Sequence, residues 1–330
     1  MSDRYRIFGS EMSPYSVKVR SYCRYKGIPH EWIRRTPQNQ DEYRKYARIP
    51  IIPAVATPDD VGLQDSTPII DRLEGLHPEP SVHPDDAVLA FLSVLVEEYG
   101  DEWGNKIMFH HRWWHEADQR ACARILARGN LPEGDEESVD ALAAQIRERM
   151  TGRGDFVGSN PQTAPLISRY LDDLLEILEP HLAGRRYLFG DRPAYGDFGL
   201  AMQLYEASID PTAGGIMRAR STNVLDWCFR MIEPRDDGPF ESWESLAPTL
   251  TPLLQNIGGY FLPWSVANAK ALQAGEESFS VELAGSTYTQ PPQKYHAKSL
   301  GVLRERYAAL DDTSSVDPIL ESTGCLSHLR

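Results

Sequence analysis

The pattern of apolar and polar positions at the start of the chain predicts strand, helix and strand. A short aromatic and β-branched run at Tyr5–Phe8 indicates the first strand. Ser13-Pro14 is typical of a helix start, and Gly27 ends that helix. A second strand is expected at His30–Ile33.

The next apolar runs predict two more strands and a helix. Ile51–Val55 contains Pro53, which is unsuited to the interior of a sheet, so we expect it to lead into a strand. Val61–Gln64 predicts the following strand, and Asp65-Ser66 then begins a helix through Leu73. The resulting order is β-α-β followed by β-β-α.

After a proline-rich break at His77–Pro84 the apolar spacing becomes mostly helical. We therefore expect one domain at residues 1–78 and a helical domain at residues 85–330, packed as an antiparallel bundle. A polar strand-like stretch precedes the last helical segment. The helical segments are Asp85–Arg128 with a break near Gly100–Gly104, Leu166–Leu182, Asp197–Leu204, Leu253–Leu272 and Leu300–Leu310.

The amino-acid composition limits the classes of binding partner that we expect. Lys and Arg number 34 against 48 Asp and Glu, a formal charge of -14, which argues against a nucleic-acid or anionic-membrane surface. The N-terminal segment Met1–Arg6 precedes no apolar region of a secretory signal, and no membrane-spanning stretch is apparent, so we expect a cytoplasmic protein. The four cysteines form no C-x-x-C pair and predict neither a disulfide framework nor a zinc site.

Three motifs in order resemble the glutathione S-transferase superfamily, in its serine-type tau, zeta and omega classes. They are S-P-Y-S-V-K-V-R at Ser13–Arg20, I-I-P-A-V at Ile51–Val55, and L-Q-D-S-T-P-I-I at Leu63–Ile70. The resemblance implies a thioredoxin-like glutathione-binding domain followed by an all-helical domain, hence an α/β plus all-α fold. It also implies a homodimer, with glutathione as co-substrate.

A fourth segment, Tyr187–Leu200, is similar to the buried helix start of the family's second domain. Ala194 stands where the family has Ser or Thr, so only Asp197 can supply its half of the capping box. The segment Gly129–Pro165 and the tail after Pro234 lie outside the resemblance.

Ser13 is the catalytic residue that the resemblance implies. A hydroxyl at a helix N-terminus can donate to the glutathione thiolate, which the helix dipole also favours. Ser10, Tyr15 and Ser16 are alternatives for this hydrogen bond, and Ser13 could be a helix cap alone.

The resemblance also implies the residues that bind glutathione. A cis bond before Pro53 would present the Ile52 backbone to the cysteinyl part. Asp65 and Ser66 would bind the amine and carboxylate of the γ-glutamyl end. The glycyl carboxylate is assigned to a cation or amide on the segment after the second strand, with the following residues as candidates: Arg34, Gln38, Arg35 and Gln40.

Aromatic residues of the helical domain could line an apolar pocket for the second substrate, although most aromatics simply pack in a core. The candidates are Tyr15, Trp103, Phe109, Trp113 and Trp264. His111 and His115 are four apart, as metal ligands on one helix face can be, but no third ligand is evident and no metal is expected.

The expected activity is a glutathione transferase that attacks an electrophilic, largely apolar small molecule with the thiolate. Glutathione-dependent isomerisation, dehalogenation and peroxide reduction begin with the same thiolate. A non-catalytic binding protein of the same fold is the alternative from another class. Detoxification is the role that the resemblance suggests.

Overall fold

The computed structural model describes residues 4–330, so part of the N-terminal segment Met1–Arg6 lies outside the described residues. The strands are β1 Tyr5–Gly9, β2 His30–Arg34, β3 Ala54–Ala56, β4 Gly62–Gln64, β5 Phe279–Leu283 and β6 Ser286–Gln290. The helices of the first domain are α1 Pro14–Tyr25, α2 Gln40–Tyr46 and α3 Ser66–Leu76, with a 3-10 helix at Pro37–Asn39.

The remaining helices follow α3, with the strands β5 and β6 between α14 and α15. Two π-helical segments, Gly100–Gly104 and Ile257–Phe261, join α4 to α5 and α13 to α14. The helices are α4 Ala87–Tyr99, α5 Asn105–Trp114, α6 Glu116–Asn130, α7 Glu136–Thr151, α8 Gly154–Val157, α9 Ala164–Leu182, α10 Tyr195–Ser208, α11 Pro211–Arg220, α12 Thr222–Arg230, α13 Trp243–Asn256, α14 Leu262–Ala274, α15 Lys294–Ala308, α16 Asp317–Ser322 and α17 Leu326–Leu329.

The first four strands form one sheet in the order β2-β1-β3-β4. β1 runs parallel to β2 and antiparallel to β3, with Ile7 opposite Trp32 on one side and Val55 on the other. β4 pairs antiparallel with β3. Ile7 and Val55 are fully buried, so the sheet carries the core of this domain. The predicted β-α-β, β-β-α order and the thioredoxin-like domain are confirmed, as is the helical domain that follows.

Close contact between α4 and α10 fixes the centre of the helical domain. A Cβ atom at Gly100 would lie 2.5 Å from the Leu200 backbone nitrogen, and one at Gly199 would lie 2.7 Å from the Glu97 carbonyl oxygen. Both distances are too short for any side chain. The expected break near Gly100–Gly104 is therefore a π-helical continuation rather than an interruption, and glycine there permits the approach of α10.

Asp197 organises the start of α10 as the incomplete capping box predicted. Its carboxylate accepts from the Ala194 backbone N–H at 2.9 Å. It also accepts from the Leu188 N–H at 2.9 Å and from the Trp227 indole N–H at 2.8 Å. The Asp197 backbone N–H, from which a hydroxyl at position 194 would accept, donates to the Ala194 carbonyl at 3.0 Å. Burial raises the pKa of Asp197 to about 7.

The C-terminal tail folds back onto the first helices of the helical domain. Its strand-like stretch is the hairpin β5–β6. On α15, Tyr307 packs its ring against Phe91 of α4 with 5.7 Å between ring centres, and the Ser299 hydroxyl donates to Glu98. The tail is therefore part of the folded core. The first turn of α15 lies beside the sheet domain.

The segment Gly129–Pro165, for which the resemblance gave no expectation, supplies α7 and α8. Arg124 of α6 forms ion pairs with Glu136 and Asp140 of α7, which hold the two helices together. Across residues 4–330, no helix combines the length and the apolar character needed to cross a membrane.

Candidate functional site

A cavity of about 650 Å³, here called the main cavity, lies where the sheet domain, the helices and the tail meet. The sheet domain contributes Tyr15, Arg35, Ile49, Pro50, Ile51, Ile52, Pro53, Asp65 and Ser66. The helices contribute Glu102, Asn105, Lys106, Met150, Arg153, Phe156 and Val157, and the tail contributes Gln293, Tyr295 and His296. A second, side cavity of about 530 Å³ lies next to it and shares Arg35.

Ser13 is the N-cap of α1, as its sequence context predicts. Its hydroxyl oxygen accepts from the Ser16 backbone N–H at 3.3 Å and from the Ser16 hydroxyl at 3.0 Å. Among residues 4–330 no acceptor takes the proton of the Ser13 hydroxyl. Ser13 is partly exposed but lines neither cavity, whereas Met12 lines the side cavity and Tyr15 lines the main cavity. Its hydroxyl proton is available to a ligand that extends to the start of α1.

Two of the three alternatives to Ser13, Ser16 and Tyr15, have their hydrogen-bonding groups directed elsewhere, whereas the hydroxyl proton of Ser10, like that of Ser13, has no acceptor within residues 4–330. The Ser16 hydroxyl is buried and donates to Ser13. The Tyr15 hydroxyl donates to the Asp101 carbonyl at 2.9 Å, and burial raises its pKa well above the usual value, so it stays neutral. Ser10 accepts from the Met12 N–H and lines the side cavity.

The Ile52–Pro53 peptide bond is cis, which confirms that prediction. Both residues line the main cavity, immediately before β3. The loop that holds them is fixed by Gln64 of β4. Its side-chain amide donates to the Ile49 and Ile51 carbonyls at 2.6 and 2.8 Å.

Asp65 stands at the edge of the main cavity just before α3. Its φ of 77° lies in the region that residues other than glycine rarely adopt, a strain often found at binding sites. Burial raises the pKa of its carboxyl. The Tyr295 hydroxyl lies 3.0 Å from both carboxylate oxygens, so a residue of the tail already contacts this group.

Ser66 begins α3 and is buried against the acidic π-helical turn. Its hydroxyl lies 3.4 Å from an Asp101 carboxylate oxygen. The same Asp101 accepts from the Lys18 ammonium at 2.6 Å, and Glu97 accepts from Lys18 and, at 2.7 Å, from Thr67. Lys18 thus compensates part of the negative charge of Glu97 and Asp101 beneath the start of α3.

Of the four candidates for the glycyl carboxylate, the structure brings Arg35 to the main cavity. Its guanidinium donates to Gln40 at 2.6 Å and stacks on the Tyr43 ring at 4.8 Å. Arg34 lines only the side cavity, and exposed Gln38 lines neither cavity. Arg35 lines both cavities, so the two arginines meet at the side cavity.

The five aromatic residues predicted to line a pocket for the second substrate fall into three groups. Tyr15 lines the main cavity. Trp103 and Trp264 are buried behind it, with 5.3 Å between their ring centres. Phe109 and Trp113 line a separate cavity of about 230 Å³ and do not line the main cavity, because they lie one and two turns further along α5 than Lys106.

Lys106 is a residue of the main cavity that the sequence analysis missed. It follows Trp103 by three residues and precedes His110 by four, so its spacing puts it on the buried face of the same helix. A lysine in that position is the signal that could have identified it. Tyr295 and His296 were also missed, because they lie far along the chain in the tail.

The His111–His115 pair is not on one helix face. α5 ends at Trp114, and His115 has an extended backbone with φ of -89° and ψ of 141°. His111 instead contacts the Ile107 carbonyl at 2.9 Å through Nδ1. Within the described range no cluster of His, Cys, Asp or Glu side chains has the makings of a metal site.

Residues 7–81 match the family described as glutathione S-transferase, N-terminal domain. All three sequence motifs lie within this range, so residues 7–81 form an N-terminal domain of the glutathione S-transferase superfamily. The tau, zeta or omega subclass stays a prediction. No curated protein matches the chain.

Similar solved structures include a glutathione S-transferase from Methylobacterium radiotolerans in complex with glutathione sulfonate, 21% identical, with 74% of this chain and 94% of that chain covered and a TM-score of 0.41. A tau-class enzyme from mango is 16% identical, with 75% and 97% covered and a TM-score of 0.43. FzlA from C. crescentus is 17% identical, with 69% and 91% covered and a TM-score of 0.43. Likeness at this level does not bear on the ligand or the reaction of this chain.

Proposed function

We propose that the chain is a glutathione transferase that binds glutathione in the main cavity and uses its thiolate to attack an apolar electrophile. The observation that carries the proposal is the convergence of Ile52, Pro53, Asp65 and Ser66 on one cavity, which Tyr15 of α1 also lines. The Ser13 hydroxyl at the start of α1 has a proton with no acceptor in the part of the chain that the structure describes.

Each group has a counterpart in the tripeptide. The Ser13 proton faces the thiolate, and the start of α1 favours its charge. The Ile52 backbone pairs with the cysteinyl unit, and Arg35 takes the place of Arg34 and Gln38 as partner of the glycyl carboxylate. Asp65 pairs with the ligand amine, while Ser66 and the start of α3 bind the neighbouring carboxylate.

The other end of the main cavity suits an apolar second substrate. Ile49, Ile51, Met150, Phe156 and Val157 line it with aliphatic and aromatic surface. Trp103 and Trp264 support this wall from behind rather than contact the substrate. A homodimer, a cytoplasmic location and a role in detoxification belong to the same proposal.

A non-catalytic binding protein is the second candidate, and the contact of Tyr295 with Asp65 is the observation that favours it. If the tail holds this carboxylate permanently, glutathione cannot use it. Binding and turnover measured together separate the two candidates.

Substitution of the γ-glutamyl subsite tests the proposal. Asp65→Ala and Ser66→Ala should each weaken glutathione binding by about 1–3 kcal/mol, because charge-assisted hydrogen bonds are lost. Isothermal titration calorimetry measures this, with Asp59→Ala on an exposed turn as the matched control. Unchanged affinity in both variants would exclude the proposed pocket, and binding without turnover of any electrophile would favour the second candidate.

A further inference from the structure

The tail of the chain enters the main cavity at Tyr295, in the first turn of α15. The Tyr295 hydroxyl lies 3.0 Å from each of the two carboxylate oxygens of Asp65, and both residues line the cavity. Within residues 4–330 this hydroxyl has no other acceptor and this carboxylate has no other donor. The contact therefore joins the tail to a residue that the proposed function assigns to the amine of glutathione.

The Asp65 carboxylate does not serve its own helix. Asp65 is the N-cap of α3, yet its side chain accepts no capping hydrogen bond. The N-caps of α4 and α7 differ, because Asp86 accepts from the Leu89 N–H at 3.0 Å and Asp135 accepts from the Ser138 N–H at 2.7 Å. The Asp65 carboxylate is thus left for a donor on the cavity side, which in this structure is Tyr295.

The Tyr295 side chain has few other contacts. The residue is 48% exposed, and its ring meets that of His296 edge-on with 6.2 Å between ring centres. Partial burial, together with the negative charges of Glu102 and Asp65, raises the pKa of Tyr295 above its usual value. The phenol therefore keeps its proton and acts as a donor to Asp65.

The backbone around Tyr295 is fixed by its neighbours. Gln293 and Asn268 exchange two hydrogen bonds, at 2.7 and 3.0 Å, and His296 contacts Glu102. The first turn of α15 therefore stays in place whether or not the phenol contacts its carboxylate. Rotation of the tyrosine side chain about its own bonds is enough to release that carboxylate.

We propose that Tyr295 is an internal competitor of the ligand's ammonium group: it occupies the Asp65 carboxylate while the site is empty and must swing away when glutathione binds. This inference rests on the proposed function. A hydroxyl placed evenly between the two oxygens takes the position from which an ammonium group would contact both. The ammonium displaces it because an ion pair with hydrogen bonds is stronger than the hydrogen bond of a neutral phenol.

This exchange keeps a partly buried carboxylate paired in both states of the site. An unpaired carboxylate in the empty cavity would be unfavourable, and the phenol removes that penalty. The same contact weakens the apparent affinity for glutathione, since only molecules with Tyr295 rotated away are competent to bind the amine. A glutathione conjugate carries the same γ-glutamyl end, so Tyr295 also favours its release.

The test removes the hydroxyl and keeps the ring. Tyr295→Phe should bind glutathione about tenfold more tightly than the wild type in isothermal titration calorimetry, because its competitor is gone. S-hexylglutathione, a stand-in for the conjugate, should gain by the same factor. A merely structural role of Tyr295 would lower affinity or leave it unchanged. Tyr295→Leu, which also lacks the hydroxyl, should show the same gain and serves if the first variant fails to fold.

A ligand without the amine isolates the competition. Glutaryl-cysteinyl-glycine, which is glutathione without its α-amine, leaves Tyr295 on Asp65, so Tyr295→Phe should not bind it more tightly than the wild type does. Likewise, Tyr295→Phe should bring no gain for glutathione in a protein that already carries Asp65→Ala. Tyr307→Phe is the matched control, because Tyr307 lies on the same helix and contacts Asp317 at 2.6 Å away from the cavity.

The outcomes separate this inference from the proposed function. Wild-type binding of glutathione with no gain in Tyr295→Phe and Tyr295→Leu, an equal gain for the ligand without the amine, or a gain that persists with Asp65→Ala would overturn the role of Tyr295 alone. Binding that appears only when the hydroxyl is removed would support both. Absence of glutathione binding in the wild type and in both variants would overturn both.

Discussion

Two buried lysines, Lys18 and Lys106, lie on opposite sides of the acidic π-helical turn and have opposite electrostatic surroundings. Lys18 is completely buried and contacts Glu97 and Asp101. These carboxylates raise the pKa of Lys18 despite its burial. Lys106 is 3% exposed, has neutral partners, and has a pKa lowered to about 7.

The difference separates a structural ion pair from a group that can do chemistry. Lys18 compensates the charge of two buried acids between the sheet domain and the helical domain, so its proton is fixed. Lys106 lines a cavity and donates to the neutral acceptors of Val157 and Gln290, so its proton is exchangeable. Burial alone therefore does not set the pKa of a lysine, since the carboxylates beside Lys18 raise it and the neutral partners of Lys106 leave it lowered.

The largest expected effect is on folding stability. Lys18→Met leaves Glu97 and Asp101 buried without their cation, and we expect it to lower the free energy of unfolding by about 3–5 kcal/mol. Lys106→Met removes an amine that has no carboxylate partner within residues 4–330. It should change the free energy of unfolding by no more than about 1 kcal/mol, since the Gln290 side-chain oxygen keeps two other donors. Urea denaturation monitored by circular dichroism measures both. Equal losses in the two variants would contradict the comparison.

The second largest expected effect is on the pH dependence of stability, which should differ between the two lysines. Between the lowered pKa of Lys106 and the unfolded value of about 10.4, the unfolded chain binds the proton and the folded chain does not. Stability of the wild type relative to Lys106→Met should therefore rise with pH across this range, by at most about 1.4 kcal/mol per pH unit. Lys18 has a raised pKa, so its contribution is fully present below the unfolded value and is lost only at higher pH. Parallel curves of the free energy of unfolding against pH for wild type and Lys106→Met would show that the pKa of Lys106 is not lowered in the folded chain.

A smaller effect is expected from Glu102, whose charge favours the protonated Lys106. Glu102→Gln should lower the pKa of Lys106 by up to about one unit, because an attractive charge at the cavity wall is removed. The rise of stability with pH, measured against the same protein carrying Lys106→Met, should begin at lower pH by the same amount. Glu148→Gln, on exposed α7, is the control. A rise that begins at higher pH would mean that Glu102 acts in some other way.

Sequence predicts the binding half of the site well, because its signals are local. Ser13-Pro14 and Asp65-Ser66 both begin helices, and each motif forms within a single turn or loop. The cis bond before Pro53 follows from the I-I-P-A-V motif in the same manner. These features depend on neighbours in the chain, so a sequence resemblance identifies them directly.

The other half of the site depends on contacts between distant residues and could not be predicted. Tyr295 reaches Asp65 from a hairpin and helix that lie outside the resemblance. Lys106 is held by Gln290 and Trp264, which lie more than 150 residues away in the chain, in the tail. Phe109 and Trp113 were predicted to line the pocket but do not, because aromatic character alone does not tell which turn of α5 borders the main cavity.

The most direct test of the account is an ultraviolet titration of the thiolate of bound glutathione in the wild type and in Ser13→Ala, with Ser13→Thr as a control that keeps the hydroxyl. The Ser13 proton stabilises the ionised sulfur, so the thiol pKa of bound glutathione should lie below that of the free tripeptide in the wild type and in Ser13→Thr. In Ser13→Ala it should return towards the free value. Binding of glutathione with an unshifted thiol pKa in the wild type, or an equally lowered pKa in Ser13→Ala, would contradict the claim that Ser13 activates the thiol.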